Sequence, residues 1–383
     1  MLTKLATAAN SSWRAAGLQR KPASFSHVQG AHATINNRRY LVFSSSDYLG
    51  LGQHPTVLSA ASAAMARLGA GATGSRLTTG TTDYHLAAER DIAAFVGTEE
   101  AVFFATGYQT NLSTLQALAA LAPGLEIFSD QLNHASIIDG CRIARTPVHV
   151  FNHCDVSSLE HALATSSAPH RLVVTDGLFS MDGDLAPYPQ LLDVCRDHNA
   201  WLLVDDAHAI GTIGPGGRGL AAHSTSPLPE VLIVTGSKAL GAEGGFACCS
   251  HELATYLRNH ARSYVFSTAT PPATPAAISA ALSLVEDQLA VLRANLNSFH
   301  ELTGTTAPEP TSPIIPIPVG AEEAAVSASE QLKRAGLWVP AIRYPTVGAG
   351  RAILRVTITA LHTKAQVEQL AEQLHELSLL PVP

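Results

Sequence analysis

At 383 residues the chain exceeds the roughly 250–300 residues at which one hydrophobic core gives way to two, so two domains are expected. Hydrophobic residues make up 46% of it and charged residues only 14%, under the usual figure of about 25%, so a subunit interface is expected to cover part of the surface. A formal charge of -7 argues against the basic face that nucleic acid or an anionic membrane selects.

In chain order, the opening MLTKLATAANSSWR lacks the continuous apolar run of a signal peptide. Residues 1–40 are read as a segment that packs on a C-terminal domain or on a partner subunit. From about residue 100, short apolar runs alternate with helix-length amphipathic stretches. AVFFAT, LEIFSD, VHVFNH, RLVVTDG, WLLVDDAH, VLIVTGS and GFACCS predict strands. NLSTLQALAAL, HASIIDGCRIA, VSSLEHALAT and YPQLLDVCRDHN predict helices between them. This alternation predicts an α/β fold with a mainly parallel sheet covered on both faces, and the unbroken apolarity of VLIV and WLLV fits strands buried on both sides. The most apolar helix-like stretch, LSTLQALAALAPGL, is interrupted by Gln116, Pro123 and Gly124 and is too short to span a bilayer.

The prolines of ATPPATPAA mark the end of a large domain, 41–279. Beyond them AISAALSLVEDQLAVLRANLNSF predicts one helical segment. The strand-like SPIIPIPVG and AILRVTITA, with the helix-like EEAAVSASEQLKRAG and KAQVEQLAEQLHELS, predict a smaller α+β domain, 280–383. The cysteines, Cys141, Cys154, Cys195, Cys248 and Cys249, are odd in number and form no Cys-x-x-Cys pair, so neither a metal site nor a disulfide framework is expected. They read as buried thiols of a cytoplasmic protein.

Three of the predicted large-domain strands run out into polar residues. RLVVTDG leads to Ser180, WLLVDDAH ends in Asp205 and Asp206 with His208 just beyond, and VLIVTGSK ends in Thr235 and Lys238. Ligands of open α/β sheets collect at the carboxyl ends of the strands, so these groups are expected to converge. A lysine there invites a surface role, yet one chemistry unites an amine, an acid, an imidazole and hydroxyls. Pyridoxal phosphate (PLP) needs a lysine amine for its aldehyde and a carboxylate, here Asp205, for its ring nitrogen. Its phosphate needs backbone N–H donors at a helix start, which FFATGYQTNLSTLQ offers at Gly107 and Tyr108, with Thr235 adding a hydroxyl. His134, in SDQLNHASI, is expected to stack on the ring, and His208 and Ser180 to face its phenolic oxygen.

With these residues assembled, the chain resembles the α-oxoamine synthases, PLP enzymes of fold type I. The likeness runs from FSSSDYLGL through GATGSRLTTGT, SDQLNHASIIDG, VVTDGLFSMDGDLAP, LLVDDAHAIGTIG, VTGSKALG and FSTATPP to LRVTITALHT. Within that family the FSMDGDLAP, STATPP and AIRYPTVG runs are most similar to the biotin-pathway branch. The resemblance implies a fold type I transferase and a decarboxylating condensation of L-alanine with a pimeloyl thioester, carried by coenzyme A or by a carrier protein. It implies Lys238 as cofactor lysine and base. Gly107, Tyr108, His134, Ser180, Asp205, His208 and Thr235 become cofactor contacts. Arg20, His134, Thr346 and Arg355 become substrate contacts, Arg355 gripping the amino-acid carboxylate. It also implies a homodimer, with Ser267 and Thr268 reaching a neighbour's site. Glycine- or serine-using members of the family remain alternatives, and so does a non-catalytic α/β protein holding a phosphorylated ligand. Departures from the family pattern are Ala209-Ile210-Gly211 where Gly-Thr-Gly is usual, Cys154 where Asn is usual, and small differences around Thr73 and Arg76.

Overall fold

The computed structural model describes residues 1–15, 18–19 and 22–380. After an N-terminal helix (Leu2–Ala15), β1 (Phe25–Gln29), β2 (His32–Ile35) and β3 (Arg38–Val42) form an antiparallel meander. Nothing in the sequence announces these strands, because they lack a long apolar run and β1 is exposed along its whole length.

The large sheet is built from β4 (Glu100–Phe104), β5 (Leu125–Asp130), β6 (Val148–Phe151), β7 (His170–Asp176), β8 (Trp201–Asp205), β9 (Val231–Thr235) and β10 (Gly245–Cys249). Their spatial order is β4-β10-β9-β8-β7-β5-β6. Every run read as a strand in this region is one of them. Pairing is parallel from β6 through β5, β7 and β8 to β9, while β10 runs antiparallel to both β9 and β4. The mainly parallel α/β architecture expected from the sequence is therefore found. Alternate residues feed two separate cores: Leu203, Val231 and Ile233 pack on one face, Val204, Leu232 and Val234 on the other. That explains why VLIV shows no polar alternation, since neither face meets water.

In the C-terminal part, β11 (Ile314–Gly320), β13 (Ala341–Ile342) and β14 (Ala352–Thr357) form an antiparallel sheet, and β12 (Leu337–Trp338) pairs in parallel with β3. The single helical segment expected after the prolines is instead two helices, Ala273–Leu282 and Val285–Thr303, bent by 68°. At the break the Ser283 hydroxyl donates to Ala280 O at 2.8 Å, a local bond that competes with the helical ladder. Apolar spacing continues through the bend, so periodicity could not reveal it. Among the described residues no single helix is long and apolar enough to cross a membrane.

Candidate active site

Strands β7, β8 and β9 point the same way, so their carboxyl ends share one edge. There Asp176 stands in register with Asp205. Lys238 follows three residues after Thr235, in a loop tied by Gly236 N to Gly244 O (3.0 Å) and Gly241 N to Lys238 O (2.9 Å). The loop passes so close to the 51–52 backbone that a Cβ on Gly241 would lie 2.2 Å from Gly52 N, and Gly241 also has φ +64. Burial pushes the Lys238 ammonium below its ordinary pKa; Asp205 and Asp176 oppose the shift and Arg355 adds to it. An amine brought nearer to its free-base form is the nucleophile and base that carbonyl chemistry requires.

The carboxylates are held from behind. Asn111, one turn into the helix Gly107–Leu121, donates to Asp205 Oδ2 at 2.6 Å and to Ser136 Oγ at 2.9 Å. The Ala207 N–H donates to Asp205 Oδ1 at 3.0 Å. Asp176 accepts the His134 backbone N–H at 3.0 Å, and its own N–H is taken by Asn133 Oδ1 at 2.8 Å. Burial, reinforced by the Asp205 charge, drives the Asp176 carboxyl well above the usual carboxylate range. His134 is the N-cap of the helix Ala135–Ala144, its Nδ1 accepting the Ser136 N–H at 3.2 Å. A neutral His134 ring must then carry its proton on Nε2, and burial keeps it neutral by lowering its pKa. Tyr108 meets His134 edge-on, with centroids 6.2 Å apart, and its hydroxyl donates to Asp139.

Beside this cluster the helix Gly107–Leu121 begins. Thr106 caps it by accepting the Gln109 N–H at 3.1 Å. Around Gly107 the packing leaves little room: a Cβ there would come within 3.4 Å of Thr235 Oγ1, and a Cβ on Gly245 would lie 2.6 Å from Gly107 Cα. Thr235 itself is buried, donating to Gly244 O at 2.7 Å and accepting the Ser237 N–H at 3.2 Å. The donor set therefore fits PLP. It offers a desolvated amine, a doubly hydrogen-bonded carboxylate, and a capped helix start that suits a phosphate.

The opposite wall belongs to the C-terminal sheet. Arg355 of β14 is buried; its Nε donates to Ser180 O at 2.6 Å and its Nη1 to Thr357 Oγ1 at 3.1 Å. Tyr48 joins this wall to the segment after β8, with its hydroxyl 2.6 Å from His208 Nδ1 and within hydrogen-bonding reach of Arg355. Burial and the Lys238 and Arg355 charges hold His208 well below its ordinary pKa. Thr346 and Ser180 line a cavity of about 600 Å³ together with Met181, Tyr344, Arg351 and Ile353.

The fold thus gathers Lys238, Asp205, His134, His208, Thr235, Gly107, Tyr108 and Ser180 at one sheet edge, with Arg355 on the facing wall and Thr346 in the adjoining cavity. Arg20 lies outside the described residues. Ser267 and Thr268 sit elsewhere, in a crevice with Arg76, Phe103 and Phe104, where Thr268 bridges to Ser75. The departure at Ala209-Ile210-Gly211 keeps glycine where backbone demands it. Gly211 has φ +78 and no room for a Cβ beside Ala239, while Ala209 and Ile210 are fully buried and need no such freedom. Arg76 is buried against Glu89 at 2.9 Å and over the Tyr264 ring, a packing role.

Sequence reasoning missed Asp176, Asn111 and Tyr48. Asp176 closes its strand just as Asp205 does, so the same rule would have found it. Asn111, one of several polar residues in the first turns of its helix, is a weaker signal. Tyr48 had none, for its partner lies 160 positions away.

Residues 38–374 match the family described as aminotransferase class I and II. The chain is 46% identical over 95% of its length to a biotin biosynthesis bifunctional protein BioWF of Cutibacterium acnes, of which it spans 57%. The chain therefore covers little more than half of such bifunctional relatives. It is 39% identical to an 8-amino-7-oxononanoate synthase of Paraburkholderia xenovorans, covering 95% of each chain. A serine palmitoyltransferase variant of S. paucimobilis, solved with a bound PLP–myriocin aldimine, superposes with a TM-score of 0.90 at 28% identity, covering 99% of this chain and 98% of that one.

Proposed function

The chain belongs to the aminotransferase class I and II family, and from that premise we propose that it is a PLP-dependent 8-amino-7-oxononanoate synthase, condensing L-alanine with a pimeloyl thioester in biotin biosynthesis. The observation that carries the reading is the desolvated Lys238 amine beside Asp205, with the buried Arg355 across from it. Identity of 39–46% to biotin-pathway relatives outweighs the likeness at 28% to a serine-using enzyme.

When bound, PLP supplies an aldehyde carbon for an amine and a ring that accepts the electrons released at the amino-acid Cα. Lys238 would hold that carbon, and its amine, once released, would remove the Cα proton. Asp205, held in place by Asn111 and Ala207, would pair with the ring nitrogen, and His134 would pack on the ring. The first turn at Gly107 and Tyr108, with Thr235, would take the phosphate, while Ser180 and His208 would complete the cofactor contacts. Arg355 grips the alanine carboxylate with its planar fork until that group leaves as CO2. The new bond joins alanine Cα to the pimeloyl carbonyl carbon as the thioester C–S bond breaks and the thiol leaves with a solvent proton. The Cα that then loses CO2 takes back a proton from the Lys238 ammonium. Thr346 and Arg20 position the acyl donor, and the active protein is a cytoplasmic homodimer with Ser267 and Thr268 turned to the neighbouring site.

The test is to follow the visible absorption of the PLP-loaded protein and to quantify product after adding L-alanine with pimeloyl-coenzyme A or a pimeloyl carrier protein. 8-Amino-7-oxononanoate should form with L-alanine and not with glycine or L-serine. Turnover with serine and palmitoyl-coenzyme A alone would assign the other branch. A protein that stays colourless with PLP would point to mere binding.

A further inference from the structure

The turn Phe179–Leu185 carries Ser180, whose carbonyl holds Arg355 Nε at 2.6 Å, so its placement sets the guanidinium. The turn is closed by the Phe179 N–H on Asp184 O (2.9 Å) and a bridge between Leu178 and Leu185. On one flank it abuts the C-terminal sheet: a Cβ on Gly183 would strike Ile314 O at 2.3 Å. On the other flank stands His153, just past β6. Its Nδ1 lies 3.0 Å from Asp130 Oδ1 at the end of β5, its Nε2 2.9 Å from Asp184 Oδ2 in the turn, and its ring meets Phe179 edge-on at 4.4 Å. We propose that His153 is a positioning residue: as an imidazolium it clasps the Phe179–Leu185 turn to the end of β5, and through Ser180 it sets Arg355 for the substrate carboxylate.

The donor arithmetic makes the clasp dependent on charge. Carboxylates only accept, so two such contacts require a proton on both ring nitrogens. A neutral ring keeps one and turns a lone pair toward the other acid. Both carboxylates favour the charged ring and, against its partial burial, raise the His153 pKa above its ordinary value. The remaining neighbours do not compete. Asp130 is anchored by the Leu132 N–H on Oδ1 and the Cys154 N–H on Oδ2, each at 2.8 Å. Cys154 Sγ is 3.7 Å from His153 Nε2, and burial with the charges of Asp184, Asp130 and Asp182 pushes that thiol up to about 12, so it stays neutral. The clasp is closed below the His153 pKa, while both acids are ionised, and loses one bond as pH rises through that pKa.

This inference rests on the role proposed for Arg355, and its test separates the two. In holoenzyme labelled with 13C-histidine, the signal lost in His153→Asn should titrate above the ordinary histidine range. In steady-state assays His153→Asn should raise KM for L-alanine about tenfold with kcat within roughly threefold of wild type, the mark of misplaced binding. Asp184→Asn supplies an amide N–H to a neutral ring, so its KM should stay flat at alkaline pH where that of wild type climbs. An ordinary His153 pKa, an unchanged KM in folded His153→Asn, or a parallel alkaline rise in Asp184→Asn would each overturn the clasp. If His153→Asn fails to fold, the pH dependence of KM in Asp184→Asn against wild type decides alone. A wild-type protein that turns over no alanine would instead sink the functional reading, leaving the NMR titration to judge the clasp.

Discussion

Two walls face the same space and are built on different terms. On the large-sheet wall, Asp205 and Asp176 are buried, and they and the helix-capping His134 are fixed by hydrogen bonds to Asn111, Ala207, Asn133 and Ser136. On the C-terminal wall, Arg355 is equally buried, but the segment beyond it is open: Tyr344, Pro345, Thr346 and Gly348–Arg351 are exposed around the 600 Å³ cavity. A rigid, desolvated wall suits chemistry whose charges must not reorganise, and an open one suits the choice of an acyl chain. Changes on the first wall should therefore cost rate, and changes on the second should cost affinity.

The largest effect separates the walls outright. Lys238→Ala removes both the cofactor attachment and the base, so turnover should fall by about 10⁴-fold or more, with loss of the visible absorption band that PLP gives in the wild type. Normal activity in that variant would break the comparison at its root. Asp205→Asn keeps the shape and a carbonyl acceptor but leaves no charge for the ring nitrogen. Turnover and Cα proton exchange on L-alanine should drop about 10²–10³-fold while KM moves little. Arg355→Lys tests the other wall. A point charge replaces a planar fork, and KM for L-alanine should rise about 50-fold, more than kcat falls. Equal losses in both constants would place Arg355 with the rate-setting wall.

Tyr48 is one place where the walls touch, beside the Arg355 bond to Ser180 O. Tyr48→Phe deletes the hydroxyl shared by His208 and Arg355 inside a buried site, so turnover should fall about tenfold. Absorption spectra of the PLP-loaded variant titrated with pH should shift with it, because His208 loses its partner. A spectrum and rate like wild type would show that the walls are held together elsewhere.

What the sequence made legible follows the same division. The first wall consists of strand ends, and a polar residue closing an apolar run is a local signal: Asp205, Thr235 and the lysine after VLIVT were all readable this way. The helix start at Gly107 was readable from its glycine and the apolar stretch behind it. The second wall depends on long-range contacts. Arg355 in ILRVT looks like any strand charge, and only the family resemblance singled it out. Its partner Ser180 O lies 175 positions away and Tyr48's partner His208 160 away, distances no periodicity encodes. β1 to β3 escape notice for a related reason, since short strands of which only β2 and the end of β3 bury side chains leave too little pattern.

The smallest effect concerns a departure whose cost is visible in the backbone. Cys154 adopts φ 53, a left-handed conformation that asparagine tolerates better than a residue whose side chain cannot bond its own backbone. The resemblance puts asparagine at this position, and the geometry gives the reason. The conformation aims the Cys154 N–H at Asp130 Oδ2, so it cannot relax without releasing the acid that His153 also holds. Cys154→Asn should stabilise the protein by about 0.5–1 kcal/mol and raise Tm by about 1–3 °C in a thermal melt, with KM for L-alanine unchanged. A lower Tm would mean that the thiol's contact with Leu185 O, 3.7 Å away, outweighs the backbone term. The turn bearing Ser180 would then depend on side-chain packing at residue 154 as well as on the charge at residue 153.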